Sequence, residues 1–326
     1  MNARLSVSCG DVNGIGLRCF ADACSQHPFS AVLELAIDDT TLARALSVYQ
    51  LPGVLRRGVW RLAENSVVLI PINTPSDVFP GTLQDDAALC ALSSLNTSIA
   101  RTVDGNVDAL VTLPINKYGL TRVGWTFPGQ TEMVAAAAGG EPLMILCTRD
   151  VRVALATVHV PLSDVTSRLT IELIVARIAA LHHHLVVDLG LIDPQIAILS
   201  IDPHAGEHGV IGTTDDSVVR PAIELARASE YQVDGPHAAD GFFAFGAYKR
   251  YDGIVAMYHD QGLIPLKLLA QGAGVNCTAG LNIIRTSPDH GTAYDVAAGG
   301  DVDAQSTIEA IELSIRIVRN RRTFMH

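Results

Sequence analysis

The run Gln195-Ile196-Ala197-Ile198-Leu199-Ser200, continued by Ile201-Asp202-Pro203-His204-Ala205-Gly206, shows in one place how this chain folds. An almost wholly apolar segment of strand length stops at an island of turn-forming residues. Upstream, residues 171–189 carry apolar side chains at helical spacing. The same unit recurs in both directions. Further apolar, β-branched runs stand at 4–8, 32–37, 67–70, 109–112, 152–157 and 253–257, with helical patterns at 85–104 and 218–229. Asp216-Ser217 is the expected N-cap of the last helix. Alternation on this scale predicts an α/β fold built on a largely parallel sheet. In such sheets ligands bind beyond the carboxyl ends of the strands. The turn-rich islands at 10–16, 71–81, 128–131, 202–212 and 286–300 are therefore where chemistry is expected.

Composition narrows the function classes. The 326 residues include 23 Lys and Arg against 34 Asp and Glu, a net charge of −11, with 48% hydrophobic and 17% charged residues. That is ample apolar material for two lobes or one large domain, and it excludes a disordered or fibrous chain. The acidic balance argues against a nucleic-acid or anionic-membrane partner, while leaving room for a local basic pocket. Cysteines at 9, 19, 24, 90, 147 and 277 form no Cys-x-x-Cys pair and no disulfide-like framework. With no apolar signal core at the start and no run of 18 apolar residues, the expectation is a reduced, cytoplasmic protein with no membrane partner.

Three histidines occupy one topological position. His159, His204 and His259 each follow an apolar run, in the contexts Thr157-Val158-His159-Val160-Pro161, Asp202-Pro203-His204-Ala205-Gly206 and Met257-Tyr258-His259-Asp260-Gln261-Gly262. Imidazoles gathered at one rim can hold a divalent metal and leave positions open for substrate, with Asp240 and Asp260 as carboxylate ligands or partners. Each histidine taken singly also fits a hydrogen-bonded structural role. The triplet His182-His183-His184 is different, because successive helical positions point in different directions and cannot converge on one ion.

Other islands carry weaker signals. Gly10-Asp11-Val12-Asn13-Gly14-Ile15-Gly16 follows the first strand but is neither Gly-x-Gly-x-x-Gly nor a Walker loop, so a tight turn and a ligand contact both remain open. Pro128-Gly129-Gln130-Thr131-Glu132 opens a helical run whose first N–H groups can bind an anion. Lys267, Asn276 and Arg285 flank apolar sequence, where a cation needs a partner: a bound anion or a salt bridge.

Taken together, Gly10-Asp11-x-x-Gly14-Ile15-Gly16, Pro114-Ile115-Asn116-Lys117, Pro128-Gly129-Gln130-Thr131-Glu132, residues 202–207, 256–262, 274–276 and 284–293 resemble the 4-hydroxythreonine-4-phosphate dehydrogenase family of pyridoxal phosphate biosynthesis, nearly end to end. The resemblance implies a two-domain, three-layer α/β/α subunit akin to isocitrate and isopropylmalate dehydrogenases, with a cleft between the domains. The first domain is expected at 1–130 plus 301–326, and the second at 131–300 with the metal and nucleotide loops. It implies one divalent ion (Zn, Mg, Co or Mn) on His159, His204 and His259. It also implies a homodimer in which one of these ligands comes from the partner subunit. Gln130, Thr131, Lys267, Asn276 and Arg285 would contact a small phosphorylated hydroxy amino acid, and Lys267 and Asp260 would serve catalysis. His290, Gly291, Thr292, Ala293 and Asp295 would hold NAD or NADP.

Three departures stand out. The family's Gly-His-Thr-Glu reads Gly129-Gln130-Thr131-Glu132, its Gly-Ile-Gly-Pro-Glu reads Gly14-Ile15-Gly16-Leu17-Arg18, and its Ala-Gly-Lys-Gly reads Ala297-Ala298-Gly299-Gly300. The first bears on substrate choice and the third on dinucleotide binding. The activity implied is oxidation of 4-phosphooxy-L-threonine at its 3-hydroxyl, then decarboxylation of the 3-oxo acid to 3-amino-2-oxopropyl phosphate. Loss of carbon dioxide is expected because the new ketone accepts the released electron pair. The alternatives are a related dehydrogenase acting on a threonate or erythronate phosphate or a cyclic cis-diol carboxylate, and a non-catalytic metal- or metabolite-binding homologue.

Overall fold

The computed structural model describes residues 2–324 and has the expected α/β character, divided into two compact units. The first runs up to Pro142 and takes in Leu281–Arg319; the second comprises Leu143–Gly280 and the residues from Asn320 onward. Residues 131–142 and 281–300, read from sequence with the second domain, thus lie in the first unit. The physical reason is pairing: strand Ile284–Pro288 lies parallel to Ala109–Thr112, with Ile284 opposite Ala109.

In the first unit the strand order is Ile284–Pro288, Ala109–Thr112, Ala3–Ser8, Ala31–Ala36, Asn65–Ile70, Val59–Leu62 and Val54–Arg56. The members up to Asn65–Ile70 are parallel, Leu5 facing both Ala109 and Leu33. The last two form an antiparallel meander. Leu5 and Val7 are inaccessible to solvent, as a central strand covered on both faces requires. Helix Asp85–Val103 turns Ala88, Ala91, Leu95 and Ile99 inward at helical spacing, against Leu110, Trp125 and Met133. The buried Glu34 carboxylate is held between Arg4 and Arg101, which offsets its desolvation.

In the second unit the order is Val233–His237, Ile196–Leu199, Gly253–Ala256, Arg152–Leu155, Gly140–Cys147 and Val275–Leu281. Ile254 pairs with Val153 and with Ala197, both in parallel register. The carboxyl ends Leu155, Leu199 and Ala256 therefore finish at the same level. Their shared core includes Val153, Ala197, Ile254, Leu263 and Leu266.

Two local expectations change. The helix 171–189 is α-helical only over Ile171–His183 and then widens into a π-turn, His184–Asp188. Asp216 and Ser217 do not cap the following helix, because they lie inside another π-turn, Asp215–Val219, that leads into Arg220–Ala228. Asp216 instead pairs with Arg220, and Ser217 donates to the Thr213 carbonyl. All six cysteines are buried and free. No single helix among the described residues is long and apolar enough to cross a membrane.

Candidate active site

The register of the second unit delivers the histidines. His159 lies beyond Arg152–Leu155, His204 beyond Ile196–Leu199, and His259 opens helix His259–Ala270 directly after Gly253–Ala256. The His159 and His259 rings lie side by side, with centroids 5.9 Å apart. His259 Nδ1 sits 2.7 Å from Asp260 Oδ1. A carboxylate at Nδ1 favours a proton there and leaves Nε2 as the free lone pair, the arrangement a metal-binding imidazole uses.

His204 lines a cavity of about 530 Å³ that also includes Asp202, Asp240, Tyr258, Asp260 and Gln261. His159 and His259 line a second cavity, which shares Tyr258 and Asp260 with the first. Among the described residues no three His, Cys, Asp or Glu side chains are grouped to hold a metal ion. One chain thus sets two of the predicted histidines ring beside ring and places His204 on the cavity that shares Tyr258 and Asp260 with theirs. His204 starts a run in the left-handed region, with φ of 54° at His204 and 52° at Ala205, costly for residues that carry a Cβ. Asp215 is buried beneath this loop and accepts from the Ile201 and Asp202 N–H groups, and burial raises its pKa.

The triplet diverges as expected: His182 stacks near Tyr231, while His184 is buried against Asp188 at 2.7 Å. Asp188 also accepts from Arg321. Burial alone would raise its pKa, but the His184 and Arg321 contacts outweigh it and the net shift is downward. Lys267 projects from the exposed face of helix His259–Ala270. Asn276, on strand Val275–Leu281, has its Oδ1 buried with no hydrogen-bond partner among the described residues.

The first unit gathers a different set. Arg285, on strand Ile284–Pro288, is only 4% exposed. Its guanidinium donates to Thr112 Oγ1 at 2.7 Å, to Gln130 Oε1 at 3.1 Å and to Thr131 Oγ1 at 3.4 Å. Gln130 and Thr131 are the first residues of helix Gln130–Ala138. The amide of Gln130 is oriented without ambiguity: its oxygen accepts from Arg285, and its nitrogen donates to the Leu113 carbonyl at 3.1 Å.

The loop around His290–Asp295 packs on the glycine-rich start of the same unit. Ile15 N–H donates to Thr292 O at 3.0 Å, and a Cβ on Gly14 would stand 2.7 Å from that oxygen. Gly14 is therefore a close-approach glycine, one of the two readings its sequence left open. Tyr294 donates to the buried Asp11 carboxylate at 2.5 Å, and burial raises the pKa of Asp11. His290 Nδ1 lies 3.0 Å from Gly291 O, and its Nε2 is buried without a partner among the described residues. The pairing of Asp11 with Tyr294 was not singled out from sequence; the only signal was that each lies in a turn-rich island.

The model of the family described as "Pyridoxal phosphate biosynthetic protein PdxA" matches residues 30–314. A curated 4-hydroxythreonine-4-phosphate dehydrogenase of Bacteroides thetaiotaomicron is 36% identical, over 98% of this chain and 90% of that protein. The crystal structure of 4-hydroxythreonine-4-phosphate dehydrogenase from Klebsiella pneumoniae superposes with a TM-score of 0.84 at 32% identity, covering 98% of each chain. A terephthalate 1,2-cis-dihydrodiol dehydrogenase from Burkholderia xenovorans matches with a TM-score of 0.64 at 26% identity, over 96% of this chain and 98% of that one.

Proposed function

The chain belongs to the pyridoxal phosphate biosynthetic protein PdxA family, and from that premise we propose that it oxidises 4-phosphooxy-L-threonine at the 3-hydroxyl, with NAD or NADP as hydride acceptor. The 3-oxo acid so formed then loses carbon dioxide, giving 3-amino-2-oxopropyl phosphate. The observation that carries this reading is Arg285, buried and aimed by Thr112, Gln130 and Thr131 at the start of helix Gln130–Ala138. A fixed guanidinium beside the first N–H groups of a helix suits a phosphate or carboxylate. In this reading Arg285 and Thr131 bind the anion and Gln130 orients Arg285. Asn276, whose buried Oδ1 has no partner among the described residues, accepts a donor of the substrate.

His159 and His259 are the start of a metal site. Their donor chemistry fits a divalent ion: two adjacent imidazoles, one of them oriented by the Asp260 carboxylate. The third histidine of the set comes from a second copy of the chain, so the active form is a homodimer. Exposed Ile264 and Leu268, one turn apart on the helix that His259 opens, offer an apolar face for that copy to cover. When bound, a divalent ion supplies positive charge that lowers the pKa of the alcohol and stabilises the enolate left by decarboxylation. His290, Gly291, Thr292, Ala293 and Asp295 would hold the dinucleotide, which would supply the hydride acceptor, and His290 Nε2, buried without a partner among the described residues, is available to it. Lys267 contacts the substrate and exchanges a proton with it.

A second reading, oxidation of a cyclic cis-diol carboxylate, is favoured by the likeness to the Burkholderia xenovorans enzyme and by the neutral Gln130. Substrate profiling separates the two. NADH formation with added metal is expected from 4-phosphooxy-L-threonine and not from its unphosphorylated form. The reverse preference would transfer the assignment to an unphosphorylated hydroxy acid.

A further inference from the structure

Helix Tyr294–Ala297 follows directly on the loop residues 290–293, and both of its ends are tied to the first turn of the chain. At its start Tyr294 bonds to Asp11. At its end stands Arg18, from helix Gly16–Gln26. The Arg18 guanidinium donates to three carbonyls at once: Val296 O at 3.2 Å, Ala297 O at 3.2 Å and Gly300 O at 2.8 Å. Val296 O also accepts from the Gly299 and Gly300 N–H groups, at 3.3 and 2.9 Å, so Arg18 adds a side-chain clamp to a turn already closed by its backbone, at the negative end of the helix. Only a planar fork with several N–H groups can reach all three together. The turn Ala298-Gly299-Gly300 carries no polar side chain of its own. Ala293, at the other end, sits at a φ of 43°, a backbone conformation costly for a residue with a Cβ. Below the polar contacts, Ile15 and Cys19 pack on Ala297, with Ala293 and Val296 against them. Arg18 also lies over the Tyr49 ring at 5.9 Å, and the Tyr49 hydroxyl donates to Val12 O at 2.9 Å.

We propose that Arg18 is a positioning residue for the dinucleotide: it fixes residues 294–300 from outside and so presents the loop that precedes them in its binding shape. This deepens the proposed function and rests on its reading of 290–295 as the nucleotide loop. The test uses the full-length protein with Arg18→Met, which keeps the aliphatic stem, and Arg18→Lys, which keeps the charge but not the fork. Amide hydrogen exchange of 294–300, the dissociation constant for NADH and steady-state kinetics are read together. Arg18→Met should speed exchange across 294–300 and raise Kd and KM for the dinucleotide about tenfold, the equivalent of one charge-assisted hydrogen bond. kcat and the KM for the hydroxy acid should stay within about twofold, because uniform dinucleotide binding is what is lost. Arg18→Lys should fall between, and it carries the test alone if Arg18→Met does not fold. Unchanged exchange at 294–300 overturns the hold of Arg18 on the loop. Faster exchange with unchanged Kd shows that the hold is real but that the nucleotide reading of the loop is wrong, which overturns the proposal through its premise.

Discussion

Replacing Gln130 with leucine removes both ends of an amide that is wholly engaged inside the protein. The oxygen accepts from the Arg285 guanidinium at 3.1 Å, and the nitrogen donates to Leu113 O at 3.1 Å. Leucine is of similar size, so the change deletes hydrogen bonds with little change in volume. A bond to a charged donor contributes about 1.5–3 kcal/mol, and a neutral amide bond about 1 kcal/mol. Thr112 and Thr131 still hold Arg285, so the fold should survive with a looser guanidinium. If Arg285 binds the phosphate equally in the ground and transition states, the loss appears in KM. Gln130→Leu should then raise KM for 4-phosphooxy-L-threonine about 10- to 100-fold, with kcat nearly unchanged. Gln130→His adds a pH readout. Neutral imidazole can accept from Arg285, whereas imidazolium cannot and places a second cation beside it. KM of that variant should rise as pH falls through the histidine range, while wild type shows no such limb. The assay is steady-state NADH formation from pH 6 to 9. Wild-type KM in Gln130→Leu would refute the orienting role of Gln130.

Three further outcomes are expected. Gly14→Ala sets a Cβ 2.7 Å from Thr292 O, so it should weaken dinucleotide binding at least tenfold by titration while leaving metal content unchanged. Asp188→Asn leaves His184 and Arg321 without their carboxylate and should cost about 3–5 kcal/mol in urea unfolding at neutral pH. Because the Asp188 pKa is lowered in the folded state, that contribution is present above 3.8 and disappears as pH falls through the lowered value; a gap between variant and wild type that persists in acid would contradict this. Finally, His204→Ala and His259→Ala chains, each inactive alone, should regain part of the activity when mixed under conditions of proven subunit exchange, since one hybrid site keeps every ligand. No recovery would argue that each site lies within one subunit.

Much of the fold was legible because apolar runs that end in turns are buried strands here. The expected segments at 4–8, 109–112, 195–200 and 253–257 are all strands in the structure. Strands Val54–Arg56 and Val59–Leu62 were not anticipated, because their outward positions are polar or half exposed and they are short. Val233–His237 carries glycine and proline, which argue locally against a strand, and lies at the end of the strand order, where a missing N–H is tolerated. The rim position of His159, His204 and His259 was readable from strand ends. Which of them meet was not, since that depends on the path of loop 202–212, whose left-handed backbone no residue type announces. The role of Arg18 was equally hidden: a charge reversal in sequence becomes intelligible only when three carbonyls from residues 296–300 are found around it.

The most direct test of the account is stoichiometric. The purified protein, supplied with 4-phosphooxy-L-threonine, NAD and a divalent metal, is followed for NADH and for carbon dioxide in the same vessel. Equal amounts of both are expected, lost together on chelation and restored together by metal. NADH without carbon dioxide would contradict the decarboxylation, activity unaffected by chelation would contradict the metal site, and neither product would contradict the dehydrogenase assignment itself.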